Sequence, residues 1–100
     1  MPKLHIALHD GFAGQRVQIK VNGRAVFDRA GVRTDLRISR ADAIDVEAPL
    51  QPSRISITID PGGISGATEV APGATPYLAA DLEENGHIRW TPSAEPFRYL

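Results

Sequence analysis

Three histidines, two carboxylate clusters, one glycine-flanked serine and a set of arginines are the residues of this 100-residue chain whose types could do chemistry. His5 and His9 lie four apart and share one face of an extended strand. At about 3.3 Å per residue their Cα atoms stand roughly 13 Å apart, too far for one metal ion. A histidine pair at i and i+2 would be suggestive, but Ala7 occupies that place. His87 could reach either histidine only through strand pairing. The carboxylates fall into Asp42, Asp45 and Glu47, and into Asp81, Glu83 and Glu84. Asp45 and Glu47 share a strand face with their carboxylates about 7 Å apart. That suits oxygen ligation of calcium or paired-carboxylate glycoside chemistry, but the spacing is unspecific and the EF-hand loop pattern is absent. Ser65, in the stretch GGISGA, superficially fits a nucleophile elbow. The elbow requires glycine where Ala67 stands, and a helix after it. No glycine–lysine phosphate loop or dinucleotide fingerprint occurs. The expectation is therefore no enzyme, no catalytic residue, no metal and no cofactor.

The arginines read differently. Arg16, Arg24 and Arg29 flank one hairpin, and Arg33, Arg37 and Arg40 form a basic stripe. No aromatic side chain is interleaved with that stripe, as a single-stranded nucleic-acid surface would require, so nucleic acid is not an expected partner. Arg16, Arg24, Arg29, Arg33 and Arg37 are instead the candidate contact residues for a protein partner or for self-association, with some paired to carboxylates across strands. For a small-ligand or carbohydrate alternative, Tyr77 and Tyr99 are the candidate residues. Trp90 alternates in phase with Ile88 and is assigned to the core.

The elements that must position these residues alternate with period two. Leu4, Ile6 and Leu8 alternate with His5, Ala7 and His9. The same holds for Val17–Ile19–Val21, Leu36–Ile38, Ile44–Val46, Ile55–Ile57–Ile59 and Ile88–Trp90. Strict alternation indicates strands with one face in the core and one in water, as in antiparallel sheets. The punctuation agrees. KVNGRAVF places Asn22-Gly23 between two β-type runs, the signature of a type I′ hairpin turn. Asn85-Gly86 marks a second hairpin, YLAADLEE against HIRW. A two-residue turn would set Ile19 opposite Val26, and a three-residue turn would set it opposite Phe27. Arg40 to Ala43 offers at most one helical turn behind Ser39. Phe97 and Tyr99, near the end, are placed to pack back on the sheet.

The expected fold is all-β: an antiparallel two-sheet sandwich of about eight short strands in one domain spanning 1–100, with a small barrel as the alternative. At the level of fold pattern alone, the layout resembles immunoglobulin-like and transthyretin-like sandwiches. With no cysteine, disulfide scaffolds, thiolate zinc sites and Cys nucleophiles are excluded. The expected core is Leu4, Ile6, Leu8, Val17, Ile19, Val21, Val26, Leu36, Ile38, Ile44, Val46, Ile55, Ile57, Ile59, Leu82, Ile88 and Trp90.

Net charge is −1, but residues 1–41 carry eight Lys/Arg against three Asp/Glu, and residues 42–100 carry three against nine. Either the halves interleave and mix, or they form a dipolar surface that steers a partner. MPKLHIALHD lacks the apolar stretch of a signal peptide, and no run reaches the length of a membrane span. The expectation is a cytoplasmic chain without membrane contact. Open sandwiches have edge strands with unpaired backbone groups. Pro92 and Pro96 would protect the last edge, so the expected contact surface is an N-terminal edge strand, residues 3–9, or the basic first hairpin.

Overall fold

The computed structural model describes residues 3–35, 37, 40–48, 52–60 and 62–97. Among them are eight strands: β1 (Lys3–Leu8), β2 (Ala13–Val21), β3 (Arg24–Arg33), β4 (Asp42–Glu47), β5 (Ser53–Asp60), β6 (Ile64–Val70), β7 (Tyr77–Leu82) and β8 (Ile88–Ser93). They form two four-stranded sheets, ordered β4-β1-β7-β8 and β3-β2-β5-β6, packed as a sandwich that does not close into a barrel. No helix among the described residues is long and apolar enough to cross a membrane. Each sheet draws strands from both the basic and the acidic part of the chain, so the charge asymmetry is not a division between sheets.

The core lies between the sheets. Ile55, Ile57 and Ile59 on β5 face Leu4, Ile6 and Leu8 on β1 across it, all at most 1% exposed. Val17, Ile19, Val21, Val46 and Leu82 join them as the alternation requires. Fully burying one such side chain contributes about 1.5–3 kcal/mol. Val26, Ile44, Ile88 and Trp90, expected in the core, are only partly buried against its rim. Leu36 and Ile38 lie outside the described residues.

Four expectations are corrected. First, β1 is not an edge strand, since β4 and β7 enclose it. Second, the sandwich is not wholly antiparallel, because β1 and β7 run parallel with Ala7 opposite Ala79. Here β7 follows the rule for parallel strands buried on both faces: Leu78, Ala79, Ala80, Asp81 and Leu82 are all buried. On its outer side Phe97 folds back, with its ring 5.0 Å from His9 and 6.5 Å from Tyr77, and Asp81 is engaged by the Asp10 N–H and Arg89. Third, Arg40–Ala43 makes no helical turn. Asp35 bridges to Arg40, and the Ala41 N–H donates to the Leu8 carbonyl (2.7 Å), so tertiary pairing outweighs local propensity. Fourth, the register of the first hairpin combines features of both sequence alternatives. The turn has two residues, with φ of 51° at Asn22 and 84° at Gly23. Val21 pairs with Arg24 and Lys20 with Ala25, yet Ile19 faces Phe27. Val26 is the extra residue of a β-bulge, and the bulge turns Phe27 into the core at 8% exposure.

Candidate functional site

The five arginines do not converge. Arg16 holds Asp28 through two hydrogen bonds of 2.9 and 2.7 Å, with Gln18 adding a third at 3.3 Å. The hydrogen bond from Arg16 holds the Asp28 carboxyl below its usual range, and Asp28 in turn raises Arg16. Arg29 pairs with Asp42, joining β3 to β4 across the two sheets, and lies 5.6 Å from the Phe27 ring centroid. Arg37 closes a local turn onto Asp35 (3.0 Å) and lowers its pKa. Arg33 lies over Gly14, where an added Cβ would come within 3.1 Å of its Nη2. Arg24 stands exposed beside the Asn22-Gly23 turn. Thus three of the five are answered by aspartates.

His5 donates its Nδ1–H to Asp45 Oδ1 at 2.8 Å, on the outer face of the β4-β1-β7-β8 sheet. Burial pushes the His9 pKa down, partly offset by Asp81 and Asp10. Tyr77 packs among His5 and Phe97 with its ring edge-to-face to Phe97, rather than as a flat platform. Tyr99 lies outside the described residues. Asp81 is buried, accepts the Asp10 N–H (3.0 Å) and takes Arg89 at 3.4 Å. With Asp10, Glu83 and Glu84 it walls an open hollow of about 620 Å³ at the loop end of the sandwich. A second hollow of about 280 Å³ adjoins it, reaching Gln15 and Ile64. Gly11 permits this end to close: it has φ +93°, and a Cβ there would lie 1.8 Å from the Leu82 carbonyl oxygen. Among the described residues no group of three His, Asp or Glu is arranged to hold a metal ion.

The residues that sequence reasoning missed lie along the edge of β6, which no other strand among the described residues pairs. Arg54 turns both of its backbone groups toward β2: its N–H donates to the Asn22 side-chain oxygen (2.9 Å), and its carbonyl accepts the Asn22 N–H (2.8 Å). Backbone direction alternates along a strand, so Ile55, Ile57 and Ile59 address β6. Their register partners there are Thr68, Gly66 and Ile64. The N–H and C=O groups of Ser65, Ala67 and Glu69 therefore point away from the sheet. These three residues are exposed, and β6 pairs with β5 in unbroken register from end to end. Beneath this edge runs an apolar seam of the half-buried side chains Ile64, Ile88 and Trp90. Gly66 makes the close approach possible, because a Cβ there would stand 3.1 Å from Ile88 Cγ1 and 3.8 Å from Trp90 Nε1.

The other three edges are defended. On β8 the Glu83 N–H bonds the His87 carbonyl (2.9 Å), so Ile88, Trp90 and Pro92 carry the outward backbone positions. Pro92 there offers no donor. β4 carries Asp42, Asp45 and Glu47 in six residues. β3 is interrupted by register shifts and lined with charge. No family model matches the chain, nor does any curated protein or solved structure.

Proposed function

We propose that this chain is a non-catalytic, cytoplasmic protein-interaction module that takes up an extended protein segment at the free edge of β6. The observation that supports this most directly is the row of outward backbone groups at Ser65, Ala67 and Glu69, on a regular, proline-free edge above a half-buried apolar seam. Strand addition draws affinity from new main-chain hydrogen bonds, and pockets or seams alongside add to it. Each such bond is worth about 0.5–1.5 kcal/mol net. The edge alone would bind weakly, and covering Ile64, Ile88 and Trp90 supplies the hydrophobic part.

The test is selection of random short peptides displayed on phage against the wild-type protein and two variants. Ala67→Pro removes an outward donor without touching the β5 ladder, and Ala67→Lys places a charge on the edge. The expected result is apolar, strand-forming peptides whose binding falls about tenfold or more with either variant. Arg24→Glu, on the opposite edge of the sheet, is expected to leave binding unchanged. Peptide binding that is lost with Arg24→Glu and kept with Ala67→Pro would move the contact to the first hairpin.

A small-ligand module is the second reading, favoured by the two adjoining hollows at the loop end. Glu83 and Glu84 line both hollows, Asp10, Asp81 and Arg89 the larger one, and this excess of carboxylates over the one arginine would favour a cationic ligand. Tyr77, packed edge-on against Phe97, does not add to that reading.

A further inference from the structure

We propose that the strand received at β6 is β6 of a second copy of this chain, with the two copies related by a two-fold axis at Ala67. This inference rests on the edge reading above. The edge is self-complementary. The outward residues are three, evenly spaced, and centred on Ala67. An isologous contact between identical edges is antiparallel. With Ala67 opposite its own copy, Ser65 of each chain meets Glu69 of the other. Each of these pairs exchanges two N–H···O=C bonds, about six in all.

Charge excludes one competing register and is compatible with this one. Glu69 is the one charged side chain on β6. A ladder centred on Glu69 would oppose two carboxylates, which is unfavourable for directly facing residues. A ladder centred on Ser65 would leave Ala67 and Glu69 facing no outward partner. The Ala67-centred ladder uses all three positions and sets each carboxylate against a serine. Ser65 and Ala67 are small, so their outer faces do not crowd, and a net charge of −1 opposes association only weakly. The axis runs perpendicular to the sheet and keeps faces aligned. The Ile64–Ile88–Trp90 seams of both copies therefore come together in one apolar strip.

The chain has no cysteine, which makes crosslinking a clean test of register. Sedimentation equilibrium of the wild-type protein is expected to show a concentration-dependent shift from one chain to two. Under oxidation Ala67→Cys is expected to crosslink to itself, at a paired Cα separation within disulfide range. Ser65→Cys is expected to crosslink to Glu69→Cys but not to itself. Ser65→Glu, which faces Glu69 of the other copy, should weaken dimerisation about tenfold, and Ser65→Lys should tighten it. Circular dichroism on each variant separates loss of association from loss of fold. A chain that stays monomeric at all concentrations overturns the inference. In that case, phage-peptide binding abolished by Ala67→Pro leaves the edge reading standing. A dimer indifferent to Ala67→Pro and Ala67→Lys, with no Ala67→Cys crosslink, overturns the inference, and peptide binding equally indifferent to those variants overturns the edge reading as well.

Discussion

β3 and β6 bound the same four-stranded sheet, yet they meet solvent in opposite ways. β3 is ten residues long, and its pairing with β2 is broken by register shifts at three places. Arg24, Asp28, Arg29 and Arg33 stand exposed along it, Gly31 sits at φ +71°, and Arg29 ties the strand to Asp42 of the other sheet. Bulges, charges and a cover on one side are the devices by which natural sheets prevent edge-to-edge pairing. β6 has seven residues, unbroken register and one charge. The length and basic character of the first hairpin draw attention in the sequence, and its shifts, charges and cover are features that hinder strand pairing at an edge. The plainer strand offers its backbone.

The largest effect expected is loss of the sheet that both edges share. Ile57 is 1% exposed on β5, which lies between β2 and β6 in that sheet. Ile57→Asp buries a carboxylate without a partner, a change of several kcal/mol and comparable to the whole stability of a small domain. Far-ultraviolet circular dichroism should show an unfolded chain at neutral pH. A folded Ile57→Asp protein would mean that the core is not where the two sheets place it.

A smaller effect isolates β6. Gly66 has no positive φ to explain it, and its reason is the Ile88 side chain packed against its Cα. Gly66→Val forces that contact apart, and overpacking of this kind costs about 1–3 kcal/mol. The thermal midpoint should drop by several degrees, and Trp90, the single tryptophan, should report the disturbance in its fluorescence. Adding Ile88→Ala makes room, so the double variant should be more stable than the sum of the two single changes predicts. Strict additivity would show that β6 and β8 do not pack through this contact.

These two residues also mark where sequence reading succeeds and where it stops. Ile57 was legible because a β-branched residue alternating with Ser56 and Thr58 can satisfy a half-buried strand in one way. The turn at Asn22-Gly23 was legible because few residues tolerate its backbone angles. The bulge at Val26 was not, since hydrophobic alternation cannot register one residue that opposes nothing. β6 was the hardest strand to see: its inward positions are Ile64, Gly66, Thr68 and Val70, of which two are strongly apolar. Strand order was not readable either. Lys3–Leu8 alternates as an edge strand would, and only the long-range pairing with β4 and β7 encloses it. Unpaired backbone groups carry no side-chain signature, so the candidate site became visible only once the register from Arg54 outward was known. The arginines gave a strong signal because charge is conspicuous in sequence, whereas the aspartates that answer them are set by folding.

The last and smallest effect concerns how β3 is defended. Asp28 has its pKa lowered in the folded state, chiefly by the hydrogen bond from Arg16, while a free Asp titrates near about 3.9. A folded pKa below the unfolded one means that the contribution to stability is present above the unfolded value. It is lost as the pH falls through the folded one. The Arg16–Asp28 pair therefore fails only in acid, below roughly pH 4. Arg16→Ala should return the Asp28 titration, followed by NMR of its carboxyl carbon, toward the ordinary value. Both groups are exposed and screened, so the stability change should be slight at neutral pH. What should change is the edge itself, since one paired charge no longer holds β2 against β3 beside the bulge. If amide exchange along Arg24–Arg33 is unaltered in the Arg16→Ala protein, the defence of that edge does not rest on the Arg16–Asp28 pair and falls to its bulges and to the Arg29–Asp42 tie. β6, with its unbroken register and single charge, would then differ from β3 in backbone geometry and in the charges and the Arg29–Asp42 tie that remain there.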